Sequence, residues 1–203
     1  MEKTNQFLTA VARRRSCYAL NGQSPLNPAQ IEHLVRECVK QVPSAFNSQS
    51  ARVLVLFHEQ HHQFWKLTLD VLRDKIPAGK FPPTQEKIAS FDAAFGTLLY
   101  FEEWKTVEEL QAKFPTYKDK FPLWAYQSNG MLEFMIWTAL AQSGVGASLQ
   151  HYNPLIDEGV QQLFQTPPSW KLIAQMPFGQ PYEPPQPKDF LPIDERVRIL
   201  GKK

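Results

Sequence analysis

Apolar residues recur at helical spacing near the start of the chain. Between Thr4 and Arg15, Phe7, Leu8, Val11 and Ala12 fall three and four apart, which predicts an amphipathic helix ending in three arginines. Cations at a helix C-terminus oppose its dipole favourably. Asn27, Pro28 and Gln30 form a helix start, and Ile31, Leu34, Val35 and Cys38 supply the next apolar face. Arg52 to Phe57 is apolar and rich in β-branched residues, which predicts a buried strand. A helix over about Gln60 to Leu72 follows, then a loop over Ala78 to Pro83 and a short helix near Gln85 to Phe95. Gly96 to Phe101 predicts a second strand.

The longest helical segment, Pro122 to Gln142, is apolar nearly all round through Met131, Phe134, Met135, Trp137 and Leu140. That pattern calls for burial on more than one side, in a core or against a partner. Gly144 to Ala147 ends it and leads to a third strand at Ser148 to Gln150. A helix from Asp157 to Phe164 and a strand from Lys171 to Met176 come next. Past Gly179 the prolines Pro181, Pro184, Pro185, Pro187 and Pro192 keep the chain extended as far as a β-like segment at Val197 to Leu200. Interspersed helices and strands on one core give an α+β or α/β sandwich, read as one domain over 1–203 with a C-terminal arm from about 179.

With 203 residues, 43% hydrophobic and 21% charged, the chain has an ordinary globular composition and enough length for a sizeable core. A net charge of +2 argues against nucleic acid as the main partner. No apolar run has the length of a membrane span or a signal segment, so no membrane partner is expected. Two cysteines, Cys17 and Cys38, are too few for a disulfide framework, and a reduced cytoplasmic setting follows.

Two segments carry candidate chemistry. Arg13-Arg14-Arg15-Ser16 places guanidinium forks beside a hydroxyl, a set that matches phosphate oxygens. Pro43-Ser44-Ala45-Phe46-Asn47-Ser48-Gln49 is a short polar loop whose small residues admit close backbone approach and whose amides donate and accept. Either alone has an ordinary reading, as a solvated basic patch or a connecting loop. His58-Glu59-Gln60-His61-His62 matches the zinc-hydrolase string His-Glu-x-x-His. It is discounted because His58 closes the strand at Phe57, which puts His58 and His62 on either side of a strand–helix junction; no metal is expected.

Taken together, the segments resemble the nitroreductase family. Arg14, Arg15 and Ser16 occupy the family's phosphate-gripping triplet, and Tyr18 stands where a basic residue is usual. Pro43, Ser44, Asn47 and Gln49 keep the pattern Pro-Ser-x-x-Asn-x-Gln, with Ser50 and Ala51 in place of its proline and tryptophan. Gly179-Gln180-Pro181 followed by Pro187-Lys188 is similar to the closing pattern, with Lys188 as a second phosphate cation and Phe190 where many members carry arginine. Ser148, Leu149, Gln150 and His151 lie where relatives turn backbone amides toward the flavin edge. Leu149 to Asn153 and Trp170 to Gly179 are similar to a small bacterial and fungal subgroup linked to lipid signalling and oxidative stress.

The resemblance implies a three-layer α-β-α sandwich on a mostly antiparallel sheet and a homodimer that exchanges C-terminal strands. Flavin mononucleotide (FMN) would bind between subunits, with Ala45 in the loop that reaches the ring. It implies ping-pong transfer from NADH or NADPH to nitroaromatics or quinones, with the flavin carrying the chemistry and no catalytic side chain. A flavin-binding sensor with little turnover is the alternative.

Overall fold

A computed structural model describes residues 2–202. The first helix, α1 (Glu2–Arg13), ends at the arginine cluster, and β1 (Leu20–Asn21) follows. Helix α2 (Pro28–Gln41) starts on a capping box: Asn27 accepts the Gln30 N–H, and the Gln30 side chain accepts the Asn27 N–H. A short 3-10 turn, Ala45–Asn47, precedes β2 (Ala51–Phe57) and α3 (His58–Lys75). Then come α4 (Pro82–Asp92), β3 (Gly96–Glu103), α5 (Trp104–Lys113) and a 3-10 segment, Pro115–Lys120. The chain continues with α6 (Phe121–Gln142), β4 (Gly146–Ala147), α7 (Asp157–Phe164), β5 (Trp170–Pro181) and α8 (Ile193–Arg196).

The five strands pair antiparallel in the order β1-β5-β3-β2, with β4 also paired to β5. Successive β3 residues face opposite layers, as the pleat requires. Leu98 and Tyr100 join α2 and α6 in one core cluster; Leu99 and Phe101 join α3, α4 and α7 in the other. A sheet buried on both faces by helices is the expected three-layer α+β sandwich.

Several expectations need correction. The third strand is at Gly146–Ala147; of Ser148 to Gln150 only Gln150 makes a β-bridge, to Gln175. Strand β5 runs past Met176 to Pro181, because β1 and β4 both need its far end as a partner. Val197 to Leu200 forms no strand: a strand needs a neighbouring edge, and in this single chain those residues lie exposed. Helix α3 begins at His58 rather than at Gln60, and His58 has a left-handed φ of 49°. Helix α5 has no counterpart in the sequence reading. Val107 is its one fully buried residue, and Trp104 and Leu110, which complete its apolar stripe, are only half-buried among charged neighbours.

Candidate functional site

Arg14 and Arg15 sit where α1 ends and the chain turns onto the sheet. Ser16 bridges Ala147, and the Cys17 N–H donates to the Ala147 carbonyl at 2.9 Å. The arginines are thus fixed beside the segment that continues to His151. The Arg14 guanidinium lies 4.4 Å from the Trp137 ring centroid, a cation–π contact that orients it. Its Nε is buried and lacks a hydrogen-bond partner among the described residues. Burial, with the Arg15 charge second, lowers its pKa. A half-buried guanidinium whose buried Nε has an unsatisfied donor fits a phosphate oxygen. Burial likewise raises the Cys17 pKa, which keeps it a thiol rather than a nucleophile.

Arg15 donates to the Gln186 carbonyl, which pins the tail close to the cluster two residues before Lys188. Lys188 itself lies over the Phe190 ring at 5.2 Å, and both are exposed, as is Tyr18. The structure therefore brings Arg14, Arg15 and Ser16 together and lays the Lys188 segment nearby without docking the ammonium onto them.

From Ser148 to Tyr152 the chain runs beside β5. The Ser148 N–H donates to Pro177 O, Gln150 exchanges backbone bonds with Gln175, and the Tyr152 N–H donates to Gln175 Oε1. Ser148 is buried, and the Gln150 amide donates to its hydroxyl at 3.1 Å. Those two side chains are spent internally. By the alternation of an extended segment, the N–H groups of Leu149 and His151 point the other way, toward the open side. Leu149 is half-buried and His151 exposed.

The second candidate segment lies elsewhere. Pro43, Ser44, Ala45, Asn47 and Gln49 form a tight loop in which the Ser44 hydroxyl accepts the Gln49 N–H at 2.9 Å and Arg52 donates to the Gln49 carbonyl. It enters β2 at Ala51, which is paired to Glu102, which is in turn paired to Lys171 of β5. Ala147, beside the arginines, is paired to Phe178 of the same strand. Seven residues of strand separate those levels, roughly 23 Å. Within one chain the two candidate segments occupy opposite ends of the sheet.

Next to the loop, a cavity of about 760 Å³ runs along β2, lined by Val35, Val39 and Val42 on one side and Ala51, Val53 and Val55 on the other, with Ser44 and Gln49 at its end. Strand β2 is an outer strand of the sheet, paired to β3 on one side and to no strand on the other among the described residues. Residues that the sequence did not flag also collect nearby. Asn129 donates to the buried Glu102 carboxylate, and Glu133, buried without an ionic partner among the described residues, has its pKa pushed up to about 7 by desolvation. No periodic signal marks such groups, since their neighbours come from β3.

His58 and His62 do not straddle a strand–helix junction, since both lie in α3, and the groups that come together around the string are different ones. His61, His62 and Asp92 bring one ligand atom each within 4.8 Å of one another. His61, however, is fully engaged. Its Nδ1 pairs with the Thr97 hydroxyl at 2.8 Å, and that oxygen also accepts Trp65 Nε1–H. Its Nε2–H donates to the Asp92 carbonyl at 3.0 Å, capping the end of α4. Burial lowers the His61 pKa, which favours this neutral form. His62 and the Asp92 carboxylate remain, two ligands where a structural or catalytic zinc takes three or four.

Comparison with known proteins agrees with this architecture. The model of the nitroreductase family matches residues 11–180. The putative nitroreductase HBN1 of Saccharomyces cerevisiae is 33% identical over 199 residues, 97% of this chain and 99% of that protein. The nitroreductase CinD of Lactococcus lactis, solved with chloramphenicol, superposes with a TM-score of 0.88 at 37% identity over 97% of this chain and 100% of that one. A putative nitroreductase of Exiguobacterium sibiricum solved with FMN shares the fold, with a TM-score of 0.68 at 13% identity over 96% of this chain and 97% of that one. The chain belongs to the nitroreductase family of FMN-dependent oxidoreductases.

Proposed function

We propose that this oxidoreductase works as a homodimer holding FMN between subunits, takes electrons from NADH or NADPH, and passes them to planar electron-poor acceptors, nitroaromatics above all. The separation of the two half-sites carries the reading. The sheet levels that carry the arginine cluster and the Ser44–Gln49 loop lie roughly 23 Å apart along β5 in one chain, which favours a flavin site completed by the loop of a second copy.

In that arrangement Arg14, Arg15 and Ser16 hold the phosphate, with the Lys188 segment closing over it. The N–H groups of Leu149 and His151 face the ring edge. Ser44, Asn47 and Gln49 of the second copy reach the ring from the other side. Bound there, FMN supplies the hydride and electron transfer. The protein's part is to orient the ring, keep one face open and exclude stray water. Apolar surface that a single chain leaves bare supports assembly: Met131 and Phe134 on α6, and Ile199 and Leu200 on the tail, are all exposed, while β2 offers an open edge. The acceptor class follows from CinD, whose solved complexes hold chloramphenicol and 4-nitrophenol.

Size-exclusion chromatography monitored at the flavin band tests the shared site, using the full chain and a chain cut after Pro192. The full chain should elute as a yellow dimer. The shortened chain, which keeps Lys188, should lose both dimer and flavin. A shortened monomer retaining full FMN would refute the shared site, and no NAD(P)H oxidation with 4-nitrophenol by the yellow dimer would favour a sensor.

A further inference from the structure

Three left-handed, non-glycine residues crowd into the flavin-facing loop: Phe46 at φ 56°, Asn47 at 51° and Gln49 at 49°. Asparagine tolerates that region; a bulky aromatic residue does so poorly. The loop's own hydrogen bonds do not call for a ring at position 46. They run from the Asn47 N–H to Ser44 O, from the Ser48 N–H to Ala45 O and from the Gln49 N–H to Ser44 Oγ, and glycine at 46 would allow all three.

The ring has a different occupation. Its centroid lies 4.8 Å from Phe114, 5.3 Å from Phe121, 6.0 Å from Tyr117 and 6.1 Å from Trp124. These four come from the end of α5, the 3-10 segment and the first turn of α6, the elbow between two helices. Phe114, Phe121 and Trp124 pack there with Val107 and Ala125 in a cluster separate from both main cores. Phe46 packs one face into this cradle and remains 51% exposed. A strained backbone persists only where its surroundings over-determine it, and here the aromatic cradle does so.

We propose that Phe46 is a positioning residue: its ring latches the flavin-facing loop to the α5–α6 elbow and so sets where Ser44, Asn47 and Gln49 meet a flavin held by the second copy, which rests on the FMN reading above. The elbow and the loop then behave as one body. Trp124, on the elbow, governs flavin affinity through Phe46.

FMN and riboflavin affinities, the absorption band of the bound flavin and the melting temperature of the flavin-free chain are measured for the native chain, Phe46→Gly, Phe46→Ala and Phe46→Tyr. With the latch lost, Phe46→Gly and Phe46→Ala bind both flavins roughly tenfold more weakly, equivalent to about 1.4 kcal/mol. Their bound flavin band moves toward that of free flavin, and Phe46→Tyr restores affinity and band together. Equal loss for riboflavin and FMN is expected because the loop meets the ring and not the phosphate.

A Phe46→Gly chain that binds FMN as tightly as the native chain, with the same band, overturns the proposal, since the loop would then hold itself. A loss that vanishes once every variant is fully folded at the assay temperature overturns it as well, by reducing Phe46 to ordinary packing. A native chain that binds no FMN overturns the cofactor reading together with the latch; native binding beside equal binding by Phe46→Gly overturns the latch alone.

Discussion

Replacing Arg14 with alanine separates phosphate recognition from every other part of flavin binding. In the folded chain its Nε is buried without a partner, and the guanidinium is held 4.4 Å from Trp137. A hydrogen bond to a charged group contributes about 1.5–3 kcal/mol, so Arg14→Ala should weaken FMN binding by roughly ten- to a hundredfold. The fold loses mainly the cation–π contact, about 0.5–1 kcal/mol, too little to unfold an ordinary domain. Riboflavin lacks the phosphate, so its affinity should change by less than about twofold, within the scatter of such comparisons. Arg14→Lys keeps the charge but not the fork and should fall between the two. Quenching of flavin fluorescence on titration reads both affinities in one buffer. If riboflavin binding falls by the same factor as FMN binding, Arg14 is not a phosphate ligand.

Glu133 makes stability depend on pH. Its folded pKa of about 7 lies above the ordinary 4.5, so its contribution is full below about pH 4.5 and is lost as pH rises through 7; by pH 8 Glu133→Gln should be the more stable chain by up to about 3 kcal/mol in urea unfolding. A gap of the opposite sign would show that Glu133 has a cationic partner in the assembly. Gly179→Ala should cost about 1–3 kcal/mol, because the new Cβ would stand 2.5 Å from the Asn21 carbonyl oxygen and 3.0 Å from the Phe95 nitrogen, backbone atoms that cannot swing aside. An unchanged melting temperature would mean that β1 can shift away freely.

Local rules made much of this protein legible in its sequence. The capping box at Asn27 and Gln30, the apolar run of β2 and helix α7 at Asp157–Phe164 each appear where spacing and caps put them, because those signals act within a few residues. The Arg14-Arg15-Ser16 triplet, proposed to hold the phosphate, stood out as a contiguous string. Helix α5 was not read, although Trp104, Val107 and Leu110 recur every third residue, because Trp104 and Leu110 pack only half-buried onto an elbow that exists once α6 is in place. The string drew attention to His58 and His62, while His61 between them carried no signal; burial against Thr97, Trp65 and Asp92, all distant in sequence or a helical turn away, makes it a satisfied core residue.

The all-round apolar face of α6 predicted burial on more than one side, and the single chain leaves Met131 and Phe134 exposed there, where the proposed dimer would cover them. The resemblance implied a flavin site shared between subunits, but residue spacing by itself did not show how far the arginine cluster lies from the Ser44–Gln49 loop. Arg14 and Asn47 are 33 positions apart along the chain, a span that allows contact or wide separation equally well. Strand order decides between them. By pairing β2 to β3 and β3 to β5, with β4 at the far end of β5, the sheet places the loop and the arginines at opposite ends. Periodicity specifies which residues face inward; the order in which strands meet is set by the combined burial of both core faces, a property of the whole fold.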